Sequence, residues 1–377
     1  MWKRVILTVG ILVLLLESKS SAEVRNKSEE KNTVTEEILD NIEFDEIDRS
    51  MENSMLSFRE IVTKLLQGEQ PLSADKLKDV LFSLFWGEID QNRKHMIYLS
   101  IIIIFSALFI NFSHVLPNAQ VSENSFYIFY LLMTMELMQS FLDCSGVVSD
   151  ALLTLMDFMN ALVPSYLLTV TFANGSLTAG YFYEVVLLVI FLVERVFLKA
   201  LLPLIKASLV IGFFNFLSKE DILSALSELF GTIVKWAEKS LFALVLGVNV
   251  VQGMVSPASD AIKRQMAGRA AEAIPGIGTT IHSVTDIMIG SGMVIKSVVG
   301  GAALVVLVII CLIPVFKLVV IYFMYKLLEA LFQPIMDRRL QGGLKILENG
   351  IEMLMGLLIL TMALFFITVA VVTRVKM

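Results

Sequence analysis

Cysteine and histidine are scarce: two cysteines and three histidines in 377 residues. Cys144 and Cys311 lie far apart in apolar surroundings, so neither a disulfide framework nor a cysteine-based metal site is expected, and both read as buried free thiols. His95, His114 and His282 stand alone, without an HExxH pair, which excludes the common zinc-hydrolase arrangement. Basic charge is also lacking, since 30 Lys and Arg face 36 Asp and Glu. No basic stripe interleaved with aromatics is available to track a nucleic-acid backbone. No lysine follows the glycines near Gly276 and Gly278 in the GxxxxGK[ST] register, so a nucleotide-driven machine is excluded too. Gly290-Ser291-Gly292 has Ile289 where an intramembrane serine protease places a glycine, and no paired-aspartate signature occurs. No enzyme, cofactor or metal is expected.

What is present is apolar residue. They make up 56% of the chain, and the mean hydropathy is +0.76. Such a balance belongs to a protein whose solvent is the bilayer. The start carries Lys3 and Arg4, an apolar run from Val5 to Leu16, and small residues at Ser20 and Ala22, which reads as a signal peptide over 1–22. An uncleaved first anchor is the alternative. Residues 23–95 form an acidic, exported region. Within it Met55, Phe58, Val62 and Leu65, then Leu77, Val80, Leu81, Leu84 and Phe85, recur at helical spacing, giving amphipathic helices that lie on the membrane, on a partner or on the protein's own membrane domain. Residues 96–377 read as a multi-pass helical domain. Its spans run about Met96 to Phe112, Phe126 to Leu142, Ala151 to Ala173, Phe182 to Ala200, Leu201 to Leu217, Leu241 to Val255, Val299 to Met324 and Ile351 to Thr373. Glu194, Arg195, Lys199, Pro203 and Lys206 interrupt the stretch from Tyr181 to Leu217, which predicts a hairpin or a broken helix. The fold class expected is all-α: a polytopic helical membrane protein with short amphipathic helices.

An internal echo accompanies this pattern. Pro164 and Pro275 share one offset with Pro203 and Pro314, each pair in similar sequence, as a duplicated bundle would produce. Coincidence among few prolines explains it equally well. Between two of the spans, "IPGIGTTIHSVTDIMIGSG" gathers Pro275, Gly276, Gly278, His282, Asp286, Gly290 and Gly292. The patterns on either side of Pro275 predict two short amphipathic helices joined by a Pro-Gly turn, with Gly290 and Gly292 allowing close helix approach. Ionisable residues inside the spans, Glu136, Asp157 with Asn160, Glu184, Glu194 and Glu352, are too costly to face lipid. They mark either a pore or partner surface, or structural polarity that neighbouring helices satisfy. Asp143, Asp150 and Asp157 recur every seven residues and share one face if a single helix carries them.

Two blocks carry a resemblance: "LMDFMNALVPSYLLTVTFANGSLTAG", Leu155 to Gly180, and "VQGMVSPASDAIKRQMAGRAAEAIPGIGTTIHSVTDIMIGSGMVIKSVVG", Val251 to Gly300. "LLEALFQPIMDRRLQGGLKILENG", Leu327 to Gly350, fits the same pattern. The chain resembles the stage III sporulation protein AE family of endospore formers. That resemblance implies a multi-pass protein of the mother-cell membrane around the forespore. It also implies membership of a transenvelope channel or export complex with other stage III A-operon proteins and, through them, stage II sporulation protein Q. Homo-oligomerisation is open. A stand-alone secondary transporter and a membrane scaffold are the competing functional readings.

Overall fold

The computed structural model describes residues 44–49, 57–67, 69, 74–113, 119–174, 177–217, 223–272 and 278–374. The expected signal peptide and the turn at Pro275 and Gly276 lie outside the described residues. So do the side chains of Glu184, His282 and Asp286, and the surroundings of Gly290 and Gly292.

Among the described residues the chain is helical apart from caps and turns such as 333–337, and no strand occurs. Two short helices, α1 (Phe44–Arg49) and α2 (Phe58–Leu66), precede long ones: α3 (Ala74–Ser113), α4 (Ala119–Asn174), α5 (Leu177–Val196), α6 (Leu202–Leu217), α7 (Ser224–Glu272), α8 (Gly278–Phe332) and α9 (Arg338–Arg374). Three helical stretches among the described residues are long and apolar enough to cross a membrane: Phe126–Pro164, Met293–Phe332 and Arg338–Ala370. The expected all-α membrane architecture is therefore present.

Four helices, α3, α4, α8 and α9, pack on one another as a core, and α5, α6 and α7 cover its α9 side. Contacts fix their directions. Lys326 meets Glu348 while Tyr322 meets Glu352, so α8 and α9 are antiparallel. His95 meets Glu136 while Phe109 meets Phe129, which makes α3 and α4 antiparallel too. The core is filled by aromatics and branched aliphatics such as Tyr130, Phe141, Phe158, Val306 and Leu354, all shielded from solvent. The sequence makes these elements long because its apolar residues recur on helical faces without a break.

Two connections differ from expectation. No loop separates the second and third predicted spans: α4 runs unbroken through Asp143 to Asp150 for 56 residues, or roughly 80 Å at 1.5 Å per residue. Polar residues there punctuate one helix face and leave the backbone ladder intact. Asp143, Asp150 and Asp157 accordingly do share an exposed face. From Tyr181 to Leu217 the chain forms neither a hairpin nor separated helices. A single π-turn, Phe197–Leu201, joins α5 to α6, and the Leu202 N–H reaches back to the Phe197 carbonyl. Pro203 explains it, because proline lacks the N–H and crowds the carbonyl four residues earlier, and a widened turn relieves both. Its partner in the echo, Pro314, lies inside the α-helical run of α8, so the two prolines occupy different local geometries.

The first predicted amphipathic helix is α2. Ser57 caps it by accepting from the Glu60 N–H at 3.1 Å, and Lys64 pairs with Glu60 at 2.6 Å one turn later. Its buried face, Phe58, Ile61 and Val62, turns onto the protein's own bundle: Phe58 stacks between Phe44 of α1 and Phe158 of α4, both at 6.2 Å. The second amphipathic pattern, Leu77 to Phe85, is the beginning of α3, which continues without interruption into the first span.

Tyr130 on α4 is fully buried, and its hydroxyl donates to the Phe213 carbonyl of α6 at 2.8 Å. Tyr130→Phe removes that tie and keeps the ring, so the solubilised protein is expected to lose about 1 kcal/mol of stability in denaturant unfolding. An unchanged midpoint would mean the contact contributes nothing.

Candidate functional site

Besides the exposed charges of α3, α4 and α9, several charged side chains pair with one another between the four core helices. On the α8–α9 hairpin, Lys326 Nζ lies 2.5 Å from Glu348 Oε2 and 3.0 Å from Glu329 Oε2. One helical turn away, Tyr322 donates to Glu352 Oε1 at 3.0 Å. Glu348 is 4% exposed, and its Oε1 finds no hydrogen-bond partner among the described residues. Further along α8, Lys317 meets Glu88 of α3 at 3.0 Å, and Asn92 donates to the Glu88 carbonyl at 2.9 Å. His95 Nδ1 and Glu136 Oε1 join α3 to α4 at 2.6 Å. Tyr325, Ser140 and Cys144 are buried between these pairs.

Helical spacing places these groups. Tyr322, Lys326 and Glu329 follow at steps of four and three on one face of α8, and Glu348 and Glu352 lie one turn apart on the facing side of α9. The pairs neutralise one another in a medium that solvates charge poorly, and they fix the register of α3, α4, α8 and α9. The cluster around Lys326 carries more carboxylates than ammonium groups. A second buried carboxylate stands apart from it. Glu194 of α5 is 1% exposed, lies near Cys311 of α8, and neither of its oxygens has a partner among the described residues. It sits one turn before the π-turn.

The predicted site residues distribute as follows. Glu136 is part of the polar core. Asp157 and Asn160 are exposed on α4, so the structure does not bring them to Glu136. Pro164 and Pro203 are exposed, whereas Pro314 is buried in α8. Gly278 begins α8. Glu352, singled out for its place in a span, meets Tyr322. Lys326, Glu329 and Glu348 lie just outside the expected spans, which stop at Met324 on one side and start at Ile351 on the other. The signal was present: apolar residues continue at helical steps through Tyr325, Leu328 and Phe332, which extends α8 past Met324. Both cysteines are buried free thiols, as expected. Among the described residues, no three His, Cys, Asp or Glu side chains are arranged to hold a metal ion.

The model of the family "Stage III sporulation protein AE" matches residues 56–375, which takes in the whole bundle from α2 onward. The stage III sporulation protein AE of Bacillus subtilis (strain 168) is 23% identical over 310 residues, covering 82% of this chain and 78% of the relative. No solved structure matches. This long-helix membrane protein, with its charged four-helix core, belongs to the stage III sporulation protein AE family.

Proposed function

We propose that this protein is the multi-pass membrane subunit of a transenvelope channel or export complex seated in the mother-cell membrane around the forespore, where it supports late gene expression in the forespore. The observation that carries the reading is the family match over residues 56–375. A role in sporulation follows from the family, and the rest extends it. Other stage III A-operon proteins are the direct partners, with stage II sporulation protein Q reached through them. Residues 1–22 act as an export signal, 23–95 stand on the exported side, and 96–377 form the membrane domain. No catalytic step is assigned to the chain. The paired charges of the core instead lock the long helices into one register, as a rigid subunit of an assembly requires.

Deleting the gene in its host tests the reading. Vegetative growth is expected to be unchanged, while development stops after the forespore has been engulfed, with loss of heat-resistant spores. A strain that still makes heat-resistant spores in normal number rejects the assignment.

One observation favours the second reading, a stand-alone secondary transporter. Glu194, without a hydrogen-bond partner among the described residues and beside a π-turn, is the kind of buried carboxylate that such proteins place at a mid-membrane site. Solute uptake by the purified chain alone in liposomes, abolished by Glu194→Gln, supports the transporter. Uptake that needs the partner proteins supports the complex.

A further inference from the structure

Helix α4 is covered on one side and bare on the other. Phe126, Tyr130, Met133 and Leu137 are buried, and the last three lie against Gly343 of α9. Ile128, Leu131, Leu132 and Met135 fall on the opposite side of the same turns and are exposed. Beside α4 runs the far half of α3, whose Phe109 meets Phe129 at 6.0 Å. From Ile101 to Phe112 every exposed side chain described on α3 is apolar, among them Phe105 and Leu108. The two helices thus present a joint face of large apolar side chains.

Lipid does not account for this face. Acyl chains surround a protein on every side at a given depth, and at the depth of Leu131 and Met135 the α9 side is charged. Arg339 stacks on Phe126 at 4.9 Å, Gly343 lies against Met133 and Leu137, and Arg338, Arg339 and Lys345 are exposed around them. Each of these would cost about 2.5–3.5 kcal/mol or more in hydrocarbon. Water is no better a neighbour for so broad an apolar patch. A protein partner covers one side only, and the size of the face suits one. An interface of standard size buries about 800 Å² on each partner. Between Ile97 and Leu142, thirteen large apolar side chains of α3 and α4, each 41% to 75% exposed, are available to supply it.

The edges of the face identify the partner. Helix α4 has no Lys or Arg in its 56 residues, and Asp143 is exposed where its apolar stretch ends. At the same end α3 exposes Arg93 and Lys94, with Asp90 one turn further, so its edge is net positive. None of Arg93, Lys94 and Asp143 forms an ion pair among the described residues. The His95 to Glu136 contact puts the two basic residues within about two turns of Asp143 along the bundle. Helical side chains lean toward their own N-terminus. Because α3 and α4 are antiparallel, the basic and acidic groups lean toward each other's level. We infer that a second copy of this chain covers the face, related to the first by a two-fold axis parallel to the helices. Copies in one membrane share one orientation, so a two-fold pair has only such an axis open to it. It sets α3 of each copy against α4 of the other, apolar on apolar, and brings Arg93 and Lys94 of each to Asp143 of the other. A two-fold contact requires both complementary edges on one face, and this face has both. The inference does not depend on the functional reading above.

Cysteine cross-linking of the full chain tests it in phosphatidylethanolamine and phosphatidylglycerol vesicles. Two versions with different affinity tags are reconstituted together, one with Phe105→Cys and the other with Leu132→Cys. Both positions are exposed and lie one turn from the Phe109 to Phe129 contact, at one level. Cys144 and Cys311 are 1% and 0% exposed, so the unsubstituted protein is the blank. Brief oxidation is expected to yield a dimer that carries both tags, whereas Lys345→Cys with Asn349→Cys, exposed on the α9 side, yields none. Arg93→Glu with Lys94→Glu in both versions should lower the mixed dimer roughly tenfold, and adding Asp143→Lys should bring it back. Absence of the mixed dimer would mean that lipid or another protein covers the face, and it overturns the inference. Equal yield from the α9 pair would mean random collision and overturns it too. A yield indifferent to the charge reversals rejects the pairing of α3 with α4.

Discussion

Lys326→Ala is expected to lower the stability of the membrane-reconstituted protein by about 3 kcal/mol, the lower end of the range for breaking a buried ion pair. The lower end applies because the Lys326 side chain is 42% exposed, whereas that of Glu348 is 6% exposed. Removing the ammonium takes away the partner of Glu348 Oε2 at 2.5 Å and of Glu329 Oε2 at 3.0 Å. Two carboxylates then face each other across the α8–α9 interface without a cation, and Glu348 has little water to turn to. Lys326→Arg keeps the charge and its donors, so it should restore much of the loss. Lys326→Met combined with Glu348→Leu and Glu329→Gln removes the charges together, and it should recover stability even though no ion pair is left. Thermal unfolding of the four proteins in nanodiscs gives the comparison. If Lys326→Ala unfolds with the unsubstituted chain, the cluster does not hold the hairpin together.

The sequence revealed the kind of protein more readily than its joints. Apolar excess and helical periodicity sufficed for an all-α membrane bundle, because both depend on the solvent each face meets and not on distant partners. Joints are different. Asp143 to Asp150 looks like a connection when polarity is read along the chain, yet a helix tolerates a polar stripe wherever that stripe can face outward. The hydropathy of α4 is therefore interrupted while its backbone is not. Pro203 shows the complementary limit: a proline in an apolar run predicts a disturbance, and only the packing of α5 and α6 against α7 and α9 decides that one widened turn absorbs it. Of the polar residues singled out, Glu136 and Glu352 enter the charged core while Asp157 and Asn160 stay outside it, because membership depends on which neighbour lies across the helix face. Their partners His95 and Tyr322 are separated from them by 41 and 30 positions along the chain.

Gly350→Leu should be the most damaging single change in the core, because Gly350 lies where α9 meets α4 and α6 with almost no space between them. A Cβ there would come within 2.6 Å of Leu209 Cδ1, 2.9 Å of Phe141 Cε2 and 3.2 Å of Phe141 Cδ2. Leu209 could swing its terminal methyl aside. Phe141 cannot yield so easily, since its ring is fully buried. Even Gly350→Ala therefore carries an overpacking cost of about 1–3 kcal/mol, which exceeds the gain of up to about 1 kcal/mol that alanine brings to a helix interior. The leucine adds three more heavy atoms and must force α4 and α6 away from α9, at about 3 kcal/mol or more. Gly343, two turns earlier on α9, provides the control. Its Cβ would find nothing nearer than Met133 Cε at 3.6 Å, an ordinary contact, so Gly343→Ala should leave stability unchanged or raise it slightly. Opposite signs for two Gly→Ala changes on one helix cannot come from helix propensity, which is the same for both. The unfolding midpoints in nanodiscs should therefore rank Gly343→Ala at or above the unsubstituted chain, Gly350→Ala below it and Gly350→Leu lowest. Equal midpoints for the two alanine variants would mean that α4, α6 and α9 do not approach as closely as these distances require.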